Sequence, residues 1–158
     1  MRLAVATIRC NIIYDMKFVI DTNVIIAGFR SRNGASFQLL QRIWDGSLPF
    51  LLSVPLVLEY EDVLKRSDNL AVMNLTLDEV DTVLDVLCLR GEETQIHYLW
   101  RPQLTDAKDD MVLELAVNGM AEAIVTFNVR DFQPAASHWN VATITLGECL
   151  RNLKQREV

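Results

Sequence analysis

"MKFVIDTNVII", Met16 to Ile26, places a carboxylate, Asp21, inside an otherwise apolar run and follows it at once with Thr22 and Asn23. The piece "FVI" is short, apolar and partly β-branched, and it breaks on a polar residue, the pattern of a buried strand that ends at Asp21. A charge at the end of a buried strand is costly unless it is paired or binds a metal. Asp21 is therefore the residue from which the rest of the chain is read.

Further along, "GASFQLLQRIWDG" carries Phe37, Leu40 and Trp44 at helical spacing, with Gly46 as its stop. "LPFLLS" reads as a second buried strand, and Pro55 suits the first turn of a helix through "LVLEYEDVLKR". "TLDEVDTVLDVLCLRG" opens with Thr76 and Glu79 at capping-box spacing and closes at Gly91. "QIHYL" is expected to be extended, and a helix is expected from Asp106 through "DDMVLELAVNGM". "EAIVTF" and "VATITL" give two more strands before a C-terminal helix, "GECLRNLKQ". Strands separated by helices imply a parallel sheet with helices on both faces, in which ligands bind at the carboxyl ends of the strands.

With 158 residues, 51% of them hydrophobic and 23% charged, the chain fits one domain over residues 16–158. Residues 1–15 read as a leader or as the product of an upstream start codon, and their structure is left open. No apolar run approaches the roughly 20 residues needed to cross a bilayer. Cys10, Cys88 and Cys149 are too widely spaced for a zinc site or a disulfide framework, and are expected to be reduced core residues of a cytoplasmic protein. The net charge of −6 argues against broad attraction to nucleic acid, although bound divalent cations would reverse the sign locally. Neither His97 nor His138 has a partner at ligand spacing, and the chain has no glycine-rich phosphate loop.

At 100° per residue Glu59 falls at the edge of the stripe formed by Leu56, Tyr60 and Val63, while Glu61 and Lys65 point away. Arg66 lies along the same edge, placed to pair with Glu59 or to approach a phosphate. In the later helix, the line of Leu113, Ala116, Val117 and Met120 extends back over Asp106 and Asp109, with Asp110 on one flank, so Asp109 ranks above Asp110. Each acid also has a plain alternative. Asp106 is a natural N-cap, Asp109 and Asp110 suit the positive end of a helix dipole, and Asp131 and Asn128 suit a turn. What these positions share is one end of one sheet. Facing carboxylates repel unless cations separate them, and hard oxygen ligands select Mg²⁺ or Mn²⁺.

"FVIDTNVIIAGF", "LSVPLVLEYEDVLKR", "LWRPQLTDAKDDMVLELAV" and "IVTFNVRDF" together resemble, in order and spacing, the PIN-domain family, and in particular its toxin components of toxin–antitoxin systems. The resemblance implies a three-layer α/β/α fold around a central parallel sheet and a ribonuclease dependent on Mg²⁺ or Mn²⁺. It implies that Asp21, Glu59 and Asp109 hold the metal, with Asp131 assisting. Thr22, Asn23, Asp106, Asp110, Thr126 and Asn128 would support them. Many relatives have a fourth acid where this chain has Asn128, which leaves Asp131 to supply it. Arg30, Arg66, Arg101 and Arg130, with Arg32, Lys65 and Lys108, would rim the site and meet RNA phosphates. Trp100 would stack on a base or pack under its loop. The implied partners are RNA, a cognate antitoxin and a second copy of the chain. Two readings from other classes stand beside this one: a PIN-like module that only binds protein or RNA, and an aspartyl phosphatase, which would want a second Asp where Asn23 stands.

Overall fold

The structure, a computed structural model, describes residues 16–99, 101, 103–106 and 108–156. The leader, with Cys10, and Trp100 therefore lie outside the described residues. Among the described residues five strands appear, β1 (Phe18–Ile20), β2 (Leu51–Leu52), β3 (Glu92–Glu93), β4 (Ala123–Val125) and β5 (Ala142–Ile144). They alternate with helices α1 (Thr22–Arg30), α2 (Ala35–Asp45), α3 (Val54–Leu64), α4 (Ser67–Met73), α5 (Leu77–Arg90), α6 (Asp110–Asn118), α7 (Val129–His138) and α8 (Leu146–Arg156).

All strand pairings are parallel. One ladder runs β1-β4-β5 and another β2-β3, and a parallel bridge between Phe18 and Phe50 joins them into the order β3-β2-β1-β4-β5. Val19, Ile20, Ile124 and Val125 are fully buried, as expected of strands covered on both faces. Neighbouring residues of a strand point to opposite faces, and β2 shows both coverings. Leu51 packs against Gly119 at the end of α6, whereas Leu52 packs against Gly91 at the end of α5. The expected three-layer α/β/α architecture is thus the observed one.

Several local signals act as anticipated. Gly46 ends α2 in the left-handed conformation, at φ 79°. Ser53 caps α3, with Pro55 in its first turn. Thr76 and Glu79 close a reciprocal capping box, the Thr76 hydroxyl accepting from the Glu79 amide at 3.2 Å and the Glu79 carboxylate from the Thr76 amide at 2.8 Å.

Other expectations are corrected. "QIHYL" forms no strand, and the third strand is instead the exposed pair Glu92–Glu93 just before it. The helix expected from Asp106 begins at Asp110. The Asp106 carboxylate accepts from the Lys108 amide at 3.0 Å and holds the chain in a turn that competes with helix. Met120 lies beyond α6 at φ 51° and is 87% exposed, so it leaves the stripe assigned to it. Cys88 is exposed on α5, whereas Cys149 is buried. Phe37 and Trp44 are half-buried at the flank of α2, whose buried line is Ser36, Leu39, Leu40 and Ile43.

Helices α1 and α2 approach closely because Gly28 has no side chain. A Cβ there would lie 2.4 Å from Leu40 Cδ1, 2.6 Å from its Cγ and 3.0 Å from the Ser36 carbonyl oxygen. Leu40 is itself buried, so the added methyl group would have to displace a packed side chain. Gly28→Ala should therefore destabilise the fold by about 1–3 kcal/mol despite the better helix propensity of alanine. Thermal unfolding of the variant checks this, and a melting temperature at or above wild type would refute the close packing.

Candidate active site

The sheet order reverses direction between β1 and β4, and in such sheets the crevice at the carboxyl ends of the two strands is where ligands bind. Asp21 leaves β1 at that point and Thr126 leaves β4. The Asp21 amide donates to the Val125 carbonyl at 3.0 Å, so the two chains stay paired up to the crevice. The Thr126 hydroxyl then donates to Asp21 Oδ2 at 2.7 Å and accepts from the Asn128 amide at 3.0 Å. Asp21 is 4% exposed and Thr126 fully buried.

Helix α3 supplies the opposite wall. Its buried stripe, Leu56, Tyr60, Val63 and Leu64, leaves Glu59 half-buried at the edge, where the helical projection puts it. The Tyr60 hydroxyl crosses beneath and donates to the carbonyl oxygen of Ile20, the residue before Asp21. From the sequence Tyr60 reads only as packing. A fully buried tyrosine needs a partner for its hydroxyl, and that requirement is the one signal that could have singled it out.

One cleft is lined by Asp21, Thr22, Asn23, Glu59, Asp106 and Asp109, with Arg66 and Lys108 at its edge. A neighbouring hollow is lined by Leu104, Thr105, Asp106, Asp109 and Asp131, so Asp106 and Asp109 form the wall that the two share. Asp131 is exposed in this second hollow and does not line the first. Asn128 is exposed and touches the site through its amide.

The remaining candidates are placed elsewhere. Asp110 is 1% exposed and turned away from the cleft, and its Oδ1 accepts from the amides of Gln103 and Leu104 at 3.1 and 3.0 Å. Arg101, expected at the rim, is committed to Glu114, donating from Nε and from a terminal nitrogen at 2.9 Å each. Glu114 is a buried acid that the sequence reading missed, because only the apolar residues of α6 were traced. Arg66 pairs with Asp62 rather than Glu59, although Glu59 still acts on it through space. Lys65 bridges Glu61 and Asp81 at 2.7 and 2.6 Å, tying α3 to α5 away from the cleft. Arg30, Arg32 and Arg130 are exposed and line neither hollow.

Burial holds the Asp21 carboxyl above the usual carboxylate range, opposed by the Thr126 hydroxyl and by the amides of Asn23 and Thr22. Asp109 is pushed up to about 6, first by desolvation and then by the charges of Asp21, Asp106, Asp131 and Asp110. A raised folded-state value means stability that is present at low pH and lost as pH rises through the folded value. For Asp109 the window lies between about pH 4 and pH 6, and after solvent screening the loss is about 1 kcal/mol. In metal-free buffer Asp109→Asn should therefore melt higher than wild type above about pH 6 and at the same temperature near pH 4. Equal melting across the range would show that the carboxylates do not strain one another.

Clustered hard oxygen donors suit a hydrated divalent cation. Among the described residues no three His, Cys, Asp or Glu side chains are gathered tightly enough to enclose an ion by themselves. Mg²⁺ in general keeps several waters and needs only one or two carboxylates.

The family model for the PIN domain matches residues 17–130, a span that includes every residue lining the cleft. The chain belongs to the PIN-domain family, and its fold is that of a nuclease. No curated protein and no solved structure matches it.

Proposed function

We propose that this protein is a metal-dependent endoribonuclease and the toxin of a toxin–antitoxin pair. The observation that carries the enzymatic part is the convergence of Asp21, Glu59, Asp109 and Asp106 on one cleft at the strand-order reversal, beside two cations, Arg66 and Lys108. Asp21, Glu59 and Asp109 are the residues to hold Mg²⁺ or Mn²⁺, with Asp131 assisting from the adjoining hollow. When bound, the ion supplies Lewis acidity toward a phosphate oxygen and a water of lowered pKa. The chain itself does the positioning. Thr126 fixes the rotamer of Asp21, Thr22 and Asn23 line its approach, and Asn128 orients the Thr126 hydroxyl through its amide. Asp106 walls the cleft, and Asp110 supports that wall from behind. Arg66 and Lys108 are best placed to meet the RNA backbone, and Arg30 and Arg130 lie further out.

The toxin assignment rests on the order and spacing of the four sequence motifs. It carries with it an antitoxin partner and a homodimer. Among the described residues no helix is long and apolar enough to cross a membrane. A second reading, a PIN-like module that binds RNA or protein without cutting, is favoured by Asn128, which stands where many PIN domains carry an acid. Cleavage of a labelled mixed RNA pool by the purified protein, with Mn²⁺ and with EDTA, separates the two. Metal-dependent cleavage supports the nuclease, while folded protein that neither cuts RNA nor binds Mn²⁺ supports the binding module. Co-purification with the product of an adjacent gene for a small DNA-binding protein tests the pairing.

A further inference from the structure

The described residues between 97 and 106, in the segment that leads into the acidic wall, follow α6 in the opposite direction and are fastened to it by three side chains. The Asn118 amide oxygen accepts from the amides of His97 and Tyr98 at 3.0 and 3.3 Å, and its nitrogen donates to the Tyr98 carbonyl at 3.2 Å. Glu114 takes Arg101 in a two-pronged ion pair, and Asp110 takes the amides of Gln103 and Leu104. Positions 110, 114 and 118 are four residues apart and so form one line along the helix. The fastened segment ends at Asp106, whose carbonyl accepts from the Asp109 amide at 3.0 Å and whose carboxylate accepts from the Lys108 amide at 3.0 Å. Asp106 and Asp109 line the cleft, whereas Glu114 does not.

We propose that Glu114 is a positioning residue of the active site, acting through Arg101 to set where the 97–106 segment delivers Asp106 against Asp109. The middle contact decides because it is the one charged bond with two prongs, which fixes both position and orientation. Asn118 holds the far end of the segment through neutral bonds. Asp110 holds only backbone, through one carboxylate oxygen. In its catalytic consequence this inference rests on the nuclease reading. In its structural consequence it does not.

Glu114→Gln tests it, since it keeps the shape, removes the charge and leaves no buried ion behind, with Arg101 free to turn to solvent. Amide hydrogen exchange at Gln103, Leu104, Lys108 and Asp109 should quicken by about tenfold or more, with the exchange of α3 and α5 unchanged. If the wild-type protein cleaves RNA, kcat should fall about tenfold while KM for RNA stays within twofold. Arg101→Lys, which keeps the charge but not the planar fork, should show a smaller loss of the same kind. Asp81→Asn breaks the Lys65 bridge on the other side of α3 and serves as the control for general destabilisation, with kcat unchanged. Exchange at Lys108 and Asp109 that stays at the wild-type rate overturns the proposal, as does a freed loop with undiminished kcat. A wild-type protein that cuts no RNA removes the nuclease reading and leaves the exchange result to decide the positioning role.

Discussion

Asp21→Asn is expected to abolish RNA cleavage, by about 10²–10³-fold or more, and to raise rather than lower the melting temperature of the metal-free protein. Both effects follow from where the residue sits. Asp21 is 4% exposed at the end of β1, and burial already disfavours its charge. The amide oxygen of asparagine can still accept the Thr126 hydroxyl, so the strand end keeps its hydrogen bond while the buried charge is lost. Removing that charge also eases Asp109, on which Asp21 is the largest charged influence. Without the carboxylate, the cleft loses its most deeply set anionic oxygen, the one that in the proposed nuclease would anchor a divalent cation. Activity assays with Mn²⁺ and thermal unfolding in EDTA read the two effects separately. An active Asp21→Asn variant would remove the cleft from consideration as the catalytic centre. An inactive variant that also unfolds early would make Asp21 a structural residue.

Arg101→Ala should cost about 3 kcal/mol of stability, a fall of about 6–12 °C in melting temperature for a chain of this size. Glu114 has 4% of its side chain exposed and would keep its charge inside the fold with no cationic partner, whereas Arg101 itself is 45% exposed. The asymmetry makes the order of loss informative. Truncating the arginine strands a buried charge, while Glu114→Gln only releases an arginine to water, so the first change should be clearly the more damaging. Replacing both residues together, Arg101→Met with Glu114→Leu, should recover most of the stability, because a buried ion pair is seldom better than well-packed apolar groups. Calorimetry on the three variants settles this. A melting temperature for Arg101→Ala within a degree or two of wild type would mean that water already shares the contact.

Much of this arrangement was legible from residues alone, and the reasons differ by element. β1 and the capped helix α5 announce themselves locally, through an apolar run that breaks and through a Thr–Glu pair at fixed spacing. Glu59 was placed by projection because α3 has a clean apolar stripe. Helices α1, α4 and α7 were not foreseen. α1 is dense in β-branched residues and reads on from the strand before it, and only its packing against α2, α3 and α4 makes it helical. α7 carries Pro134 in its interior, a residue that ordinarily argues against helix. In the site, Asp21, Asp109 and Glu59 reached the cleft because each sits at the end or edge of a regular element. The contacts of Arg101 and Asp110 were not legible, for one shared reason. Their partners are Glu114 and the backbone of an irregular loop, and such pairings have no periodicity from which to read them.

The bond from Tyr60 to the Ile20 carbonyl joins residues 40 apart in sequence. Glu59 precedes the ring and Asp21 follows the carbonyl, so the two acids hang on either end of one rigid strut. Their separation is therefore built to a fixed gauge. Any shift of α3 along β1 must first break that strut, so the backbone points from which the two acids project stay in register while it holds.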